Sequence, residues 1–147
     1  RIGTLAALYP ATWGVAQLLT GRLSDRFGRQ PLNVGGMFLC GLGVIVMPLG
    51  RGTVWWSCAA GVAGLGMAML YPNLSAAIAD LAQPAWRASA IGIYRFWRDL
   101  GYAVGALALG LVAAIGGRIE PAFWFVGIAM ALSAAWLALM GEETRPR

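Results

Sequence analysis

Nearly all the reactive chemistry in this sequence sits in two short clusters. Arg95, Arg98 and Asp99 precede a long apolar run, and Asp25, Arg26 and Arg29 separate two others. A guanidinium beside a carboxylate in apolar surroundings can hold an anion, pair internally or lie on an ion path. Gly92, Arg95, Asp99, Tyr102 and Ala106 recur at helical spacing, so a helix carries them on one face. Arg95 and Asp99 stand four apart and can pair there. Little else could react. The chain has no His. Ser57, Ser75, Ser89 and Ser133 have no base in view. Cys40 and Cys58 lie inside apolar runs with no CxxC, and read as small core residues rather than ligands or a disulfide. The carboxylates are too few and scattered for a metal cage. No catalytic residue, metal or cofactor is expected.

The elements that position these residues follow from composition. The 147 residues are 59% hydrophobic and 12% charged, against roughly 25% charged in a soluble domain. The charge-free runs are Ile2 to Gly21, Gln30 to Gly50, Gly52 to Ala79, Leu100 to Gly117 and Pro121 to Gly141. A bilayer core about 30 Å thick needs about 20 apolar residues per helix, so each run spans or nearly spans it. No segment alternates with period two, which removes strands and a membrane barrel. The fold class is therefore an all-α membrane protein in one transmembrane domain over 1–147. Five helices are predicted, over about 3–22, 31–50, 53–81, 87–116 and 120–141. The lipid bilayer is the implied partner. The net charge of +5 comes from arginines in short connectors, so topology explains it and a nucleic-acid partner is not expected.

Orientation follows from the same arginines. Arg22, Arg26, Arg29, Arg87, Arg95, Arg98, Arg145 and Arg147 fall on one side if the helices alternate, and Arg1, Arg51 and Arg118 on the other. The richer side is expected to be cytoplasmic, with the C-terminus there and the plasma (inner) membrane as location. Trp55, Trp56 and Trp124 then mark the outer interface, and Trp86 and Trp136 the inner one. The chain opens on Arg1 without Met, and an odd helix count puts its ends on opposite sides. Both predict helices upstream.

The first connector reads Gly21-Arg22-Leu23-Ser24-Asp25-Arg26-Phe27-Gly28-Arg29-Gln30. Gly21 would let helix ends approach, and Gly28 could take a positive φ in a tight reversal. Asp25 could be held by Arg26 or Arg29, or face a helix N-terminus. This connector resembles the cytoplasmic loop signature of the major facilitator superfamily, G-x-[LM]-[AS]-D-[RK]-x-G-[RK]-[RK]. Gly21, Leu23, Ser24, Asp25, Arg26, Gly28 and Arg29 match it, and Gln30 departs at the last basic position. The resemblance implies that this cluster latches the two halves of a transporter in one conformation. A plain tight turn with interfacial arginines is compatible with that role.

Later residues resemble the second half of bacterial members. Ala79-Asp80, Pro84, Arg87, the stretch from Gly92 to Gly105 and the Glu143-Thr144-Arg145 ending carry the likeness. It implies an MFS-type helical bundle in which this chain supplies the eighth to twelfth of twelve helices. The second to sixth are the competing placement. The absent N-terminal half is then a partner.

Depth decides what the fourth-helix charges do. From a start at Arg87, Asp99 lies about 18 Å along the helix, near the midplane. Yet Leu100 to Gly117 alone covers about 27 Å, which would leave the charges at the inner interface. Gly101 and Gly105 form a GxxxG pair, and Gly61, Gly64 and Gly66 read as packing positions. Pro72 should kink the third helix beside Tyr71 and Asn73. The candidate substrate or ion path is Trp13, Gln17, Tyr71, Asn73, Arg95, Asp99 and Tyr102. The expected function is secondary active transport of a small solute by alternating access. A non-transporting membrane scaffold or partner subunit is the alternative. The substrate is not written in the sequence.

Overall fold

The computed structural model describes residues 2–142, without the side chains of Ile2, Thr4, Leu5 and Ala6. Arg1, Arg145, Arg147 and the Glu143-Thr144-Arg145 ending lie outside the described residues. The helices are α1 (Ile2–Phe27), α2 (Arg29–Val46), α3 (Thr53–Leu81), α4 (Arg87–Gly116) and α5 (Glu120–Met140), with a 3-10 turn over Met47–Leu49 after α2. Among the described residues there is no strand. The all-α expectation holds, and α3 and α4 have the predicted ends.

The first boundary is corrected. Helix α1 runs five residues beyond the predicted 22, so most of the signature is helical. Arg22, Asp25 and Arg26 cost a helix nothing where its end is wet. The reversal is made by Gly28 alone, whose φ of 100° suits a residue without Cβ. Gly52, at φ 96°, turns the chain into α3 in the same way.

Four stretches are long and apolar enough to cross a membrane: Arg29–Leu49, Thr53–Leu81, Arg87–Gly116 and Glu120–Met140. These are the spans found among the described residues, which leave out the side chains of Ile2, Thr4, Leu5 and Ala6 at the start of α1.

Helix α3 is the hub, lying along both α1 and α2, while α2 also lies along α5. Small residues set these approaches. A Cβ on Gly66 would stand 2.6 Å from the Gly36 oxygen and against the Cys40 backbone, and one on Gly64 would meet the Tyr9 oxygen at 2.8 Å. Gly61, Gly101 and Gly105 have no described neighbour within 4 Å, so they are not packing positions in this chain. The expectation for Gly21 fails likewise, since nothing described lies within 4 Å of its missing Cβ. Helix α4 has no buried residue and touches only α3 and α5. Leu107, Leu111 and Ile115 are among its exposed side chains, as a lipid-facing or further helix-facing surface requires. Cys40 is buried as expected, but Cys58 is exposed, near the start of α3.

Candidate functional site

The proline of α3 comes first. Pro72 sits inside α3 and has no amide to give the carbonyl of Ala68, four residues back. Thr20 of α1 donates its hydroxyl to that carbonyl at 2.7 Å. Two other carbonyls of the same turn gain side-chain donors. Asn73 Nδ2 donates to Met69 O at 2.5 Å, and Ser75 Oγ to Tyr71 O at 3.2 Å. Asn73 is 1% exposed, and its Oδ1 has no hydrogen-bond partner.

Tyr71, next to Pro72, lies between Trp13 of α1 and Arg98 of α4. Trp13 meets the Tyr71 ring edge-on at 5.4 Å between centroids, and Tyr9 stands 6.3 Å from Trp13. The Trp13 indole Nε1 is buried with no hydrogen-bond acceptor. From α4, Arg98 Nη1 donates to Tyr71 Oη at 2.7 Å. Its guanidinium lies 5.2 Å from the Tyr71 ring centre and 5.9 Å from that of Tyr94. These are cation–π distances. Arg98 Nε and Nη2 both reach Asp99 Oδ1 at 2.8 Å.

Three sequence expectations are thereby changed. Asp99 pairs with Arg98, not Arg95, because Arg98 has Tyr71 to fix it and Arg95 has no partner among the described residues. Arg98, which the predicted path leaves out, bonds both Tyr71 and Asp99. Tyr102 and Gln17 make no side-chain hydrogen bond among the described residues, and Tyr102 is exposed. Trp13, Tyr71 and Asp99 are linked to Arg98 by contacts, whereas Asn73 bonds only within α3. Thr20, which sequence reasoning missed, and Arg98, which it placed in the charged cluster but left off the path, had a signal each. Proline names the carbonyl that needs a donor, and two neighbouring tyrosines favour an arginine.

The signature residues form a second centre at the end of α1. Arg29 Nε donates to Asp80 Oδ2 at 2.5 Å, with the two side chains 13% and 19% exposed. Arg29 Nη1 also donates to Ser24 Oγ at 3.0 Å and stands 3.6 Å from Asp25. Asp25 is thus a minor partner at 72% exposure. Arg26 lies 5.8 Å from the Phe27 ring centre, and Leu23 is exposed. Gln30 Nε2 donates to Gly141 O at 2.6 Å and to Leu137 O at 3.4 Å, capping the end of α5. One arginine therefore joins the ends of α1, α2 and α3, and one glutamine joins α2 to α5.

The chain is similar to known proteins. Multidrug resistance protein 2 of Bacillus subtilis is 28% identical over 145 residues, which is 96% of this chain and 36% of that protein. Inner membrane transport protein YajR of Escherichia coli is 28% identical over 86% of this chain and 27% of its own length. The methylenomycin A resistance protein of Streptomyces coelicolor is 29% identical over 86% of this chain and 26% of its own. The chain thus spans little more than a third, or less, of these relatives. Residues 1–147 match the Major Facilitator Superfamily as a whole. The four apolar spans and that match together make this a multi-pass membrane chain belonging to the Major Facilitator Superfamily.

Proposed function

We propose that this chain is part of a secondary active transporter that moves a small solute across the plasma membrane by alternating access. The reading favours a transporter over an enzyme. It places the chain as the eighth to twelfth helices, with the C-terminus cytoplasmic and the missing N-terminal half closing the cavity. The observation that carries it is the Arg98–Tyr71 bond inside an apolar span. Arg98 lies about 16 Å along a helix about 45 Å long, deep enough to need a functional or pairing reason. Tyr71 stands next to Pro72, and proline-interrupted helices border central sites in transporters. Trp13, Asn73 and Asp99 lie on the same path, with Gln17, Arg95 and Tyr102 along its edges.

Arg29 and Asp80 act in this reading as the cytoplasmic latch, with Gly21, Leu23, Asp25, Arg26 and Gly28 shaping its turn. The latch opens and closes as the two halves rock.

The test uses the full-length protein. A growth-resistance screen identifies a solute, and its uptake is then measured in proteoliposomes. Saturable, gradient-driven uptake is expected, with Arg98→Gln slowing it at least about tenfold. Uptake equal to that of empty liposomes, or an unaffected Arg98→Gln variant, would overturn the reading.

A further inference from the structure

The chemistry of the Tyr71–Arg98 centre goes further than the word solute. We infer that the site takes a planar aromatic organic anion; this rests on the transporter reading above.

Charge comes first. Arg98 and Asp99 neutralise each other, and Arg95, one turn away on α4, has no partner among the described residues. The local sum is positive, so a cation is repelled and an anion attracted. Trp13 Nε1 is a buried donor without an acceptor among the described residues, and indole and guanidinium groups only donate. A carboxylate or sulfonate accepts from both. Asn73 Oδ1 is a buried acceptor without a donor, but it lies two residues from Tyr71 and so on another face of α3.

The Arg98–Asp99 bond is also easily exchanged. Neighbours in sequence do not share a helix face, so Asp99 reaches Arg98 sideways, at 61% exposure. It uses a single oxygen, Oδ1, for both Arg98 nitrogens. An incoming carboxylate can offer two oxygens to the guanidinium fork, the stronger arrangement.

The apolar part is read from the rings. Tyr9, Trp13 and Tyr71 form a continuous aromatic wall beside Arg98. Flat rings gain from offset or edge contacts there, and a guanidinium stacks on an aromatic face. A saturated chain gains only its area.

The experiment measures binding to the detergent-purified full-length protein by calorimetry with three probes. These are 2-naphthoate, 2-naphthylmethylammonium and fully saturated decahydro-2-naphthoate. Naphthoate is expected to bind at least about tenfold tighter than either of the others. Arg98→Gln should abolish the preference over the cation, and Tyr71→Leu the preference over the saturated acid. Arg98→Lys, which keeps the charge and is mild for folding, should retain the preference for anions. Equal or tighter binding of the cation, an unchanged naphthoate affinity in Arg98→Gln, or no binding of any probe overturns the inference. Naphthoate counterflow in proteoliposomes separates the two readings. Specific binding without flux sinks the transporter reading and keeps the site. Saturable flux of the cation alone keeps the transporter and sinks the anion.

Discussion

Thr20 and Ala68 are joined by a bond that Pro72 makes necessary. The Ala68 carbonyl would serve the amide of residue 72 in an unbroken helix, and it takes the Thr20 hydroxyl instead, at 2.7 Å. A carbonyl that the proline leaves without its amide is thus satisfied by the neighbouring helix, 48 residues away in sequence. Thr20 is 8% exposed, so water is a poor substitute.

Thr20→Val should therefore lower the stability of the full-length protein by about 1 kcal/mol, a usual size for a hydrogen bond between membrane helices. Thr20→Ser should keep most of it. Pro72→Ala returns an amide to the Ala68 carbonyl, so in that background Thr20→Val should cost little more. Unfolding in mixed micelles measures all four proteins. An equal Thr20→Val cost with and without Pro72 would show that the bond does not make up for the amide that Pro72 lacks.

The Arg29–Asp80 pair predicts an asymmetry. Arg29→Ala leaves Asp80 without the cation seen in the structure, whereas Asp80→Ala leaves Arg29 with Ser24 and Asp25. The first should cost about 1 to 2 kcal/mol, and the second less. The double variant removes the unpaired carboxylate as well, so it should recover part of the Arg29→Ala loss. Thermal melts of the detergent-solubilised variants check the order.

The bilayer explains what the sequence reveals and what it hides. A run such as Gly52 to Ala79 has one job in lipid, and its length alone places α3. Helix α1 was harder, since Ser24 and Asp25 resemble a loop until Gly28 shows where the backbone turns. Spacing suggested Arg95 for Asp99, because spacing treats α4 as isolated. Tyr71, on another helix, decides for Arg98. Gly101 and Gly105 show the same limit from the other side. Their spacing fits close packing, yet no described atom approaches them. Local pattern gives elements; partners between helices depend on docking.

Gln30 departs from the basic residue that the loop signature carries, and the structure shows what it does instead. Its amide caps the carbonyls of Leu137 and Gly141. Gln30→Ala should speed hydrogen exchange in the last turn of α5, around residues 137–141. Gln30→Lys should not, because a cation also suits a helix C-terminus. Unchanged exchange in Gln30→Ala would remove the cap.

Gly66 and Gly61 share α3 but not an environment. An added methyl at Gly66 meets the backbone of α2, while at Gly61 it meets nothing described within 4 Å. Gly66→Ala should cost about 1 to 3 kcal/mol through overpacking. Gly61→Ala should be neutral, or stabilise by up to about 1 kcal/mol through helix propensity. The same micelle unfolding assay compares them.

Arg98 and Asp99 allow stability and transport to be separated. Arg98→Gln leaves Asp99 on an apolar span without its cation, so it should lower stability. Asp99→Asn leaves Arg98 bonded to Tyr71, so it should cost less. The double variant Arg98→Gln with Asp99→Asn carries no charge at the pair and should recover stability relative to Arg98→Gln alone. Uptake should not recover with it, because the cation that attracts the solute is gone. A purely structural ion pair predicts the opposite, with uptake returning as stability does. Asp99→Asn alone then tests coupling. If pH-gradient-driven accumulation survives that change, no proton passes through Asp99, and its place beside Arg98 is to hold the guanidinium until an anion takes over.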